Sequence, residues 1–122
     1  FDSDGKFETQ WINMARPCAL FIDKTVQQQV YVGELGSAYV GVNEQAYGLG
    51  PRVSIMDTQG NVLARLGDGP KGEGPGQFVA PHGLCVDSHG DIYVAEVSWI
   101  EMGRHLDPPR EVRTLQKLVR KI

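Results

Sequence analysis

Residues 80–97 read A-P-H-G-L-C-V-D-S-H-G-D-I-Y-V-A-E-V, and this stretch decides the fold of the chain. It holds two short apolar runs, residues 84–86 and 92–94, each of strand length. Between them lies D-S-H-G, a turn sequence that places glycine where a left-handed backbone costs least. Two runs rich in β-branched residues and separated by such a turn predict a β-hairpin.

The same hairpin occurs a second time in the sequence. Residues 17–23 and 30–35 match residues 81–87 and 92–97 with the shared pattern P-x-[AG]-L-x-[IV]-D, a turn, then [VI]-Y-V-[GA]-E-[LV]. An internal repeat of this kind indicates an architecture of stacked, equivalent units.

The rest of the chain extends this repeat to four strands per unit. We predict an all-β chain carrying about two β-propeller blades, each a four-stranded antiparallel sheet. For residues 111–122 an apolar helical face competes with a third strand, and the repeat favours the strand. The predicted parts of this partial propeller (1–122) are the last strand of a preceding blade (1–11), a blade with a long loop at 36–50 (15–66), a connection (67–79) and a blade lacking its last strand (80–122).

Two blades alone leave bare sheet edges and an uncovered apolar face. The chain is therefore expected to be part of a longer propeller or to assemble with other copies of itself. Three copies would form a six-bladed homotrimer in which each opening strand completes a neighbour's blade.

Composition limits the classes of partner that the chain could bind. With a formal charge of −3 and a pI of about 5.5, the chain is not expected to have the basic face that nucleic-acid binding requires. No apolar run reaches the length of a membrane span, so we expect a soluble protein without a membrane partner. The two cysteines, Cys18 and Cys85, are predicted to be buried free thiols rather than a disulfide.

Residues 72–97, G-E-G-P-G-Q-F-V-A-P-H-G-L-C-V-D-S-H-G-D-I-Y-V-A-E-V, resemble the NHL repeat. Within that group, P-H-G-L-x-[IV]-D-x-x-G and the G-L-G-P at 48–51 are similar to the propeller of the peptidyl-α-hydroxyglycine α-amidating lyases. The resemblance implies a six-bladed ring and a carbinolamide cleavage that yields a peptide amide and glyoxylate. It also implies a zinc ion held by three histidines, one matching His82, and a structural calcium at the carbonyl of Leu84. Cys18 stands at the repeat position of His82, and Tyr47 stands where the lyases have an arginine, so this chain supplies one matched histidine.

Two functions follow as hypotheses. The first is a scaffold that binds a peptide or a small molecule through loops at one rim, with Tyr39, Tyr47, Trp99 and Arg16 as ligand-binding residues. The second is a zinc-dependent lyase with His82 as a metal ligand; the other reading of His82 is a hydrogen bond to neighbouring backbone. The repeated glutamates Glu34 and Glu96 are expected to be structural, capping the loop that follows each.

Overall fold

A computed structural model describes residues 1–36 and 49–121 of the chain. The described chain is nearly all β, which confirms the predicted class. Its only helical parts are a short α-helix, α1 (Ser98–Glu101), and a 3₁₀ turn (Gly103–His105). There the amides of Met102 and His105 donate to the carbonyls of Ser98 and Met102, respectively. The strands are β1 (Pro17–Ile22), β2 (Val30–Glu34), β3 (Arg52–Met56), β4 (Val62–Gly67), β5 (Pro81–Val86), β6 (Ile92–Glu96) and β7 (Leu115–Leu118).

The strands form two antiparallel sheets. Sheet 1 has the order β1-β2-β3-β4, and sheet 2 has the order β5-β6-β7. The ambiguous stretch at 111–122 therefore contributes a strand, as the repeat predicted. Two such sheets are consistent with propeller blades, while the closed six-bladed ring stays a prediction.

The two sheets repeat each other residue by residue. In sheet 1 Leu20 pairs with Val32, and in sheet 2 Leu84 pairs with Val94. The β1–β2 and β5–β6 hairpins each have a register shift directly after their first residue. It lies between Pro17 and Ala19 in the first hairpin and between Pro81 and Gly83 in the second. A bulge at the same place in both copies shows that the sequence repeat is also a structural repeat.

Turns that begin with an aspartate join the hairpin strands at the end of the sheets opposite Pro17 and Pro81. The Oδ1 atom of Asp57 accepts hydrogen bonds from the amides of Gln59 and Asn61, and that of Asp87 does so from His89 and Asp91. The same turn recurs at Asp2, whose Oδ1 accepts from Asp4 and Lys6. Residues 1–11 thus begin like the β3–β4 connection, but no strand is assigned to them. Their role as the last strand of a preceding blade stays a prediction.

The sheets pack face to face around one apolar cluster. Its buried members are Tyr31, Val53, Phe78, Ile92 and Val94, and burying each such side chain contributes about 1.5–3 kcal/mol. A second cluster lies on the opposite face of sheet 1, where Trp11 and Met14 cover Val30, Val32 and Met56.

Two other sequence expectations meet the structure here. Cys18 and Cys85 are free thiols but are exposed, so the prediction of burial was wrong. Cys18 lies at the start of β1, and Cys85 lies on the face of sheet 2 opposite Leu84. Within the described ranges, no helix is long and apolar enough to cross a membrane.

Candidate binding site at the loop end of the sheets

The connecting segments gather at one end of both sheets, here named the loop end. Pro17 at the start of β1 pairs with Glu34 at the end of β2, and Pro81 pairs with Glu96 in the same way. A Cβ added to Gly33 would lie 3.3 Å from Pro81 Cβ, so the two sheets meet there with the same orientation. The described parts of the connecting segments, residues 35–36, 49–51, 68–80 and 97–114, therefore leave the sheets at this end.

A buried ion pair holds the loop end of sheet 1. The guanidinium of Arg52 donates two hydrogen bonds of 3.0 Å to the carboxylate of Glu34 and a third of 3.0 Å to Asp68. Arg52 and Glu34 are 2% and 0% exposed. Burial opposes the charge of Arg52, but the hydrogen bonds and charges of Glu34 and Asp68 raise its pKa above the ordinary value. Because every oxygen of Glu34 is already engaged, this pair holds the fold and is closed to substrate.

Glu34 also fixes the segment that leads into its sheet. Its Oε1 accepts a 2.6 Å hydrogen bond from the amide of Ala15, and its Oε2 accepts one from the hydroxyl of Ser54. In sheet 2 the equivalent Glu96 accepts hydrogen bonds from the amides of Val79 and Ala80. The structural role expected for both glutamates is present, but each binds the segment before its sheet instead of the loop after β2 or β6.

A second network holds the loop end of sheet 2. Glu73 receives hydrogen bonds from the guanidinium of Arg110 at 2.7 Å and from the amide of Arg113 at 3.0 Å. The side chain of Arg113 donates to the carbonyls of Glu73 and Gln77. The hydrogen bond from Arg110 lowers the pKa of Glu73 below its usual range. This network ties residues 67–79, the predicted connection, to the chain that enters β7.

The predicted ligand-binding residues are only partly described. Arg16 and Trp99 are exposed and lie at the loop end, Arg16 directly before β1 and Trp99 in α1 after β6. The carbonyl of Arg16 accepts from the amide of Leu35, and the ring of Trp99 packs beside Gly103. Tyr39 and Tyr47 lie outside the described residues. Ligand binding by these four side chains therefore stays a prediction.

His82 and Leu84, the predicted metal-binding residues, lie on β5. His82 is exposed, whereas the side chain of Leu84 packs against the core between the sheets. The amide of Val97 donates to Ala80 and that of Glu96 to Thr114. Alternation along β6 therefore directs the carbonyl of Leu84 away from β6, to the edge of β5 that pairs with none of the described strands. No group of three or more His, Cys, Asp or Glu side chains in the described ranges could hold a metal ion. Zinc at His82 would thus need ligands from elsewhere, and zinc and calcium both stay predictions.

The β5–β6 hairpin, with His82, Leu84 and the turn at Asp87, is also the part of the chain that compares with a known family. Residues 78–99 match the family model of the NHL repeat. No curated protein and no solved structure shows a significant match to the chain. The NHL match supports the family suggested by residues 72–97, and it does not reach the amidating lyases.

Sheet 2 packs on sheet 1 through one face only. That face, the packed face of sheet 2, carries Leu84, Val86, Ile92, Val94 and Leu118. The registers place Leu20, Ile22, Val30, Val32 and Met56 at the equivalent positions of sheet 1. We call these five residues the free face of sheet 1, because they lie on the side away from sheet 2.

The free face of sheet 1 is apolar and incompletely covered. Leu20 is 67% exposed and Ile22 is 48% exposed. A cavity of about 530 Å³ lies between this face and residues 9–14, with a mainly apolar lining that includes Trp11 and Met14. Sequence reasoning predicted uncovered flanks but not these residues, because the repeat alone does not tell which face packs inside the chain.

Proposed function

We propose that the chain is an NHL-type propeller module that acts as a binding scaffold and is completed by further blades supplied by other copies of the chain. One observation carries the proposal. The free face of sheet 1 holds, at equivalent positions, the same type of apolar residue that sheet 2 uses to pack on sheet 1. A surface already used once inside the chain is therefore presented a second time.

Sheet 2 offers the complementary surface. Its outer side carries Cys85, Tyr93, Ala95, Leu115 and Lys117, equivalent to the packed residues Phe21, Tyr31, Gly33, Val53 and Ile55 of sheet 1. We call this set the free face of sheet 2. Leu115 is 62% exposed, and the ammonium of Lys117 lies 5.1 Å from the centre of the Tyr93 ring.

The two free faces support a head-to-tail contact between copies. Such a contact uses different surfaces of the two partners and generates a ring when the rotation closes. Three copies with two blades each would give six blades, within the range that propellers adopt. The repeated loop ends would then form one rim, and Trp99 and Arg16 would present an aromatic and a cationic group to a peptide or small-molecule ligand.

The molar mass in solution tests the scaffold. We expect sedimentation equilibrium to give a concentration-dependent mass above the 13.4 kDa of one chain. Leu20→Asp places a charge on the free face of sheet 1 and should return the protein to a folded monomer. Leu84→Asp, the equivalent change in the packed face of sheet 2, should instead strongly destabilise the fold, since it places an unpaired charge in the partly buried contact between the sheets.

A well-folded wild-type chain that remains at 13.4 kDa at every concentration would contradict the scaffold proposal. Assembly of Leu20→Asp as tight as that of the wild type would contradict the proposal as well. Far-ultraviolet circular dichroism and urea unfolding would show that Leu20→Asp retains the folded state, so that loss of assembly is not loss of structure.

The alternative, a zinc-dependent lyase, depends on His82. It predicts stoichiometric zinc in the purified protein that disappears in His82→Ala, and elemental analysis measures this directly. The matched control is His89→Ala, which removes an exposed histidine of the Asp87 turn. Protein free of zinc after purification in zinc-containing buffer would count against the lyase and leave the scaffold proposal unaffected.

A further inference from the structure

Among the described strands, sheet 2 has no counterpart of β4, the fourth strand of sheet 1. In sheet 1, β4 covers the outer edge of β3, whereas the equivalent edge of β7 has no partner among the described strands. Because the amide of Glu96 donates to the carbonyl of Thr114, alternation along β7 directs the backbone groups of Leu115 and Lys117 outward. These outward groups form a template for one more strand.

A cavity lies at the end of β7, where that strand would begin. It has a volume of about 620 Å³ and is lined by Ile55, Ala64 and Leu66 of sheet 1 and by Leu118 at the end of β7. The space is therefore bounded by the packed face of sheet 1 and by the end of β7, beside which a fourth strand of sheet 2 would begin. A strand in this position would extend sheet 2 to the order seen in sheet 1.

The chain itself contains a segment of the required type. The turn at residues 2–6 has the hydrogen bonds of the β3–β4 turn at residues 57–61: the amide of Asp2 donates to Lys6, as that of Asp57 does to Asn61, and the amides of Gly5 and Gly60 donate back to Asp2 and Asp57. Residues 7–11 consequently correspond to residues 62–66 of β4. Phe7 is 56% exposed, and no strand is formed at 7–11.

We propose that residues 6–12 of a second copy add to the free edge of β7 as the fourth strand of sheet 2, an inference that rests on the scaffold function proposed above. The β3–β4 register fixes the partners: Met56 pairs with Val62, Ile55 with Ala64 and Val53 with Leu66. Transferred to sheet 2, Phe7 lies opposite Leu118, Thr9 opposite Lys117 and Trp11 opposite Leu115. Phe7 enters the cavity beside Leu118, and Trp11 extends the apolar part of the free face of sheet 2.

The donating copy is also the copy that packs on sheet 2. Only residues 13–16 separate the donated strand from Pro17 at the start of β1, so sheet 1 of the donor has to lie beside the sheet 2 that receives the strand. Within a single chain, Trp11 instead rests against Gly60 and the free face of sheet 1. Strand donation exchanges that contact for one with the neighbour.

Backbone alternation supplies a matched pair of variants. The amide of Asp68 donates to the carbonyl of Pro51, so Ala64 and Leu66 also face β3, and by equivalence the amide of Thr9 faces β7. Thr9→Pro removes this donor, whereas Gln10→Pro removes an amide that points away from β7. Proline is tolerated on the outward side of an edge strand, and both positions are exposed and outside any strand of the single chain.

We expect Thr9→Pro to raise the dissociation constant of the assembly at least about fivefold, as loss of one strand hydrogen bond implies, and Gln10→Pro to change it less than about twofold. Hydrogen exchange gives an independent readout. The amides of Leu115 and Lys117 should gain protection as the concentration rises, whereas those of Gln116 and Leu118, bonded to β6, should be protected throughout.

Equal association of Thr9→Pro and Gln10→Pro, or unprotected Leu115 and Lys117 amides in an assembled sample, would overturn the strand pairing and leave the scaffold function standing. A chain that never associates would overturn both. Urea unfolding of each variant checks that the sheets stay folded.

Discussion

Glu34 and Glu96 occupy equivalent positions at the ends of β2 and β6, and each carboxylate accepts a hydrogen bond from the amide two residues before its sheet begins. The amide of Ala15 lies 2.6 Å from Glu34 Oε1, and the amide of Val79 lies 2.5 Å from Glu96 Oε2. The remaining partners differ, because Glu34 binds the cation of Arg52 and Glu96 binds the neutral amide of Gln116. The two glutamates are therefore equivalent in their hydrogen bond to the backbone. Their different side-chain partners predict unequal contributions to the free energy of unfolding.

Glu34→Gln should lower the free energy of unfolding by about 3–5 kcal/mol, because it leaves the buried cation of Arg52 without its main counter-charge. Glu96→Gln should cost about 1–3 kcal/mol, the range for unsatisfied buried hydrogen-bonding groups. Urea unfolding measures both values, and Glu111→Gln, an exposed position, is the control with a change near zero. Equal losses in the two glutamate variants would contradict a special role for the buried ion pair.

The pH dependence of stability should report on Glu73. Its pKa is lowered in the folded state, chiefly by the hydrogen bond from Arg110. A group with a lowered folded pKa stabilises the fold above its unfolded pKa, here 4.5, and this contribution is lost as the pH falls through the folded pKa. The wild type should therefore be more stable than Glu73→Gln at about pH 7, and the difference should shrink towards about pH 3.

Urea unfolding at both pH values, with Glu111→Gln as the matched control, measures the effect. A gap between wild type and Glu73→Gln that stays constant with pH would show that the charge of Glu73 is not the source. The carboxyl groups of Asp57 and Asp91 also have lowered pKa values, because Asp57 accepts hydrogen bonds from Asn61 and Asp91 accepts one from Lys117. Their contributions to stability therefore also fall as the pH falls. Both proteins share that background, so the difference between them isolates Glu73.

The hairpins were predictable because their signal is local. Alternating apolar residues and a turn with glycine fix each strand pair, and the repeat carried the third strand to β7 against a competing helical pattern. Burial depends on the other sheet and was not predictable in the same way. Cys85 follows the pattern of a buried strand residue, yet it lies on the free face of sheet 2 and is exposed.

The same distinction between local signals and long-range packing applies to the candidate site. The repeated positions of Glu34 and Glu96 indicated a structural role, but their partner segments come from the chain before each sheet, which no local pattern encodes. Likewise the sequence could not show which sheet face is used inside the chain and which stays free. That choice is made by the packing of Phe78, Tyr31 and Val94 in the shared core.

Gly33 lies where β2 and β5 approach closely, and this contact yields a prediction on the packing of the two sheets. A Cβ on Gly33 would lie 2.9 Å from Ala19 Cβ, 3.3 Å from Pro81 Cβ and 3.4 Å from Leu84 Cδ2. Gly33→Ala should therefore crowd Ala19 within sheet 1, push β5 away from β2 and lower the free energy of unfolding by about 1–3 kcal/mol, as overpacking does.

Gly83→Ala is the matched control. A Cβ there meets only the Cβ of Ala95, at 3.8 Å, and the equivalent position in sheet 1 is already alanine, Ala19. Removing the backbone freedom of glycine from the unfolded chain should then leave stability unchanged or raise it by up to about 1 kcal/mol. Thermal and urea unfolding of the two variants, compared at equal protein concentration, give the contrast. If Gly33→Ala proves as stable as Gly83→Ala, the sheets do not approach at Gly33, and the packed face that both proposals use as their template is misassigned.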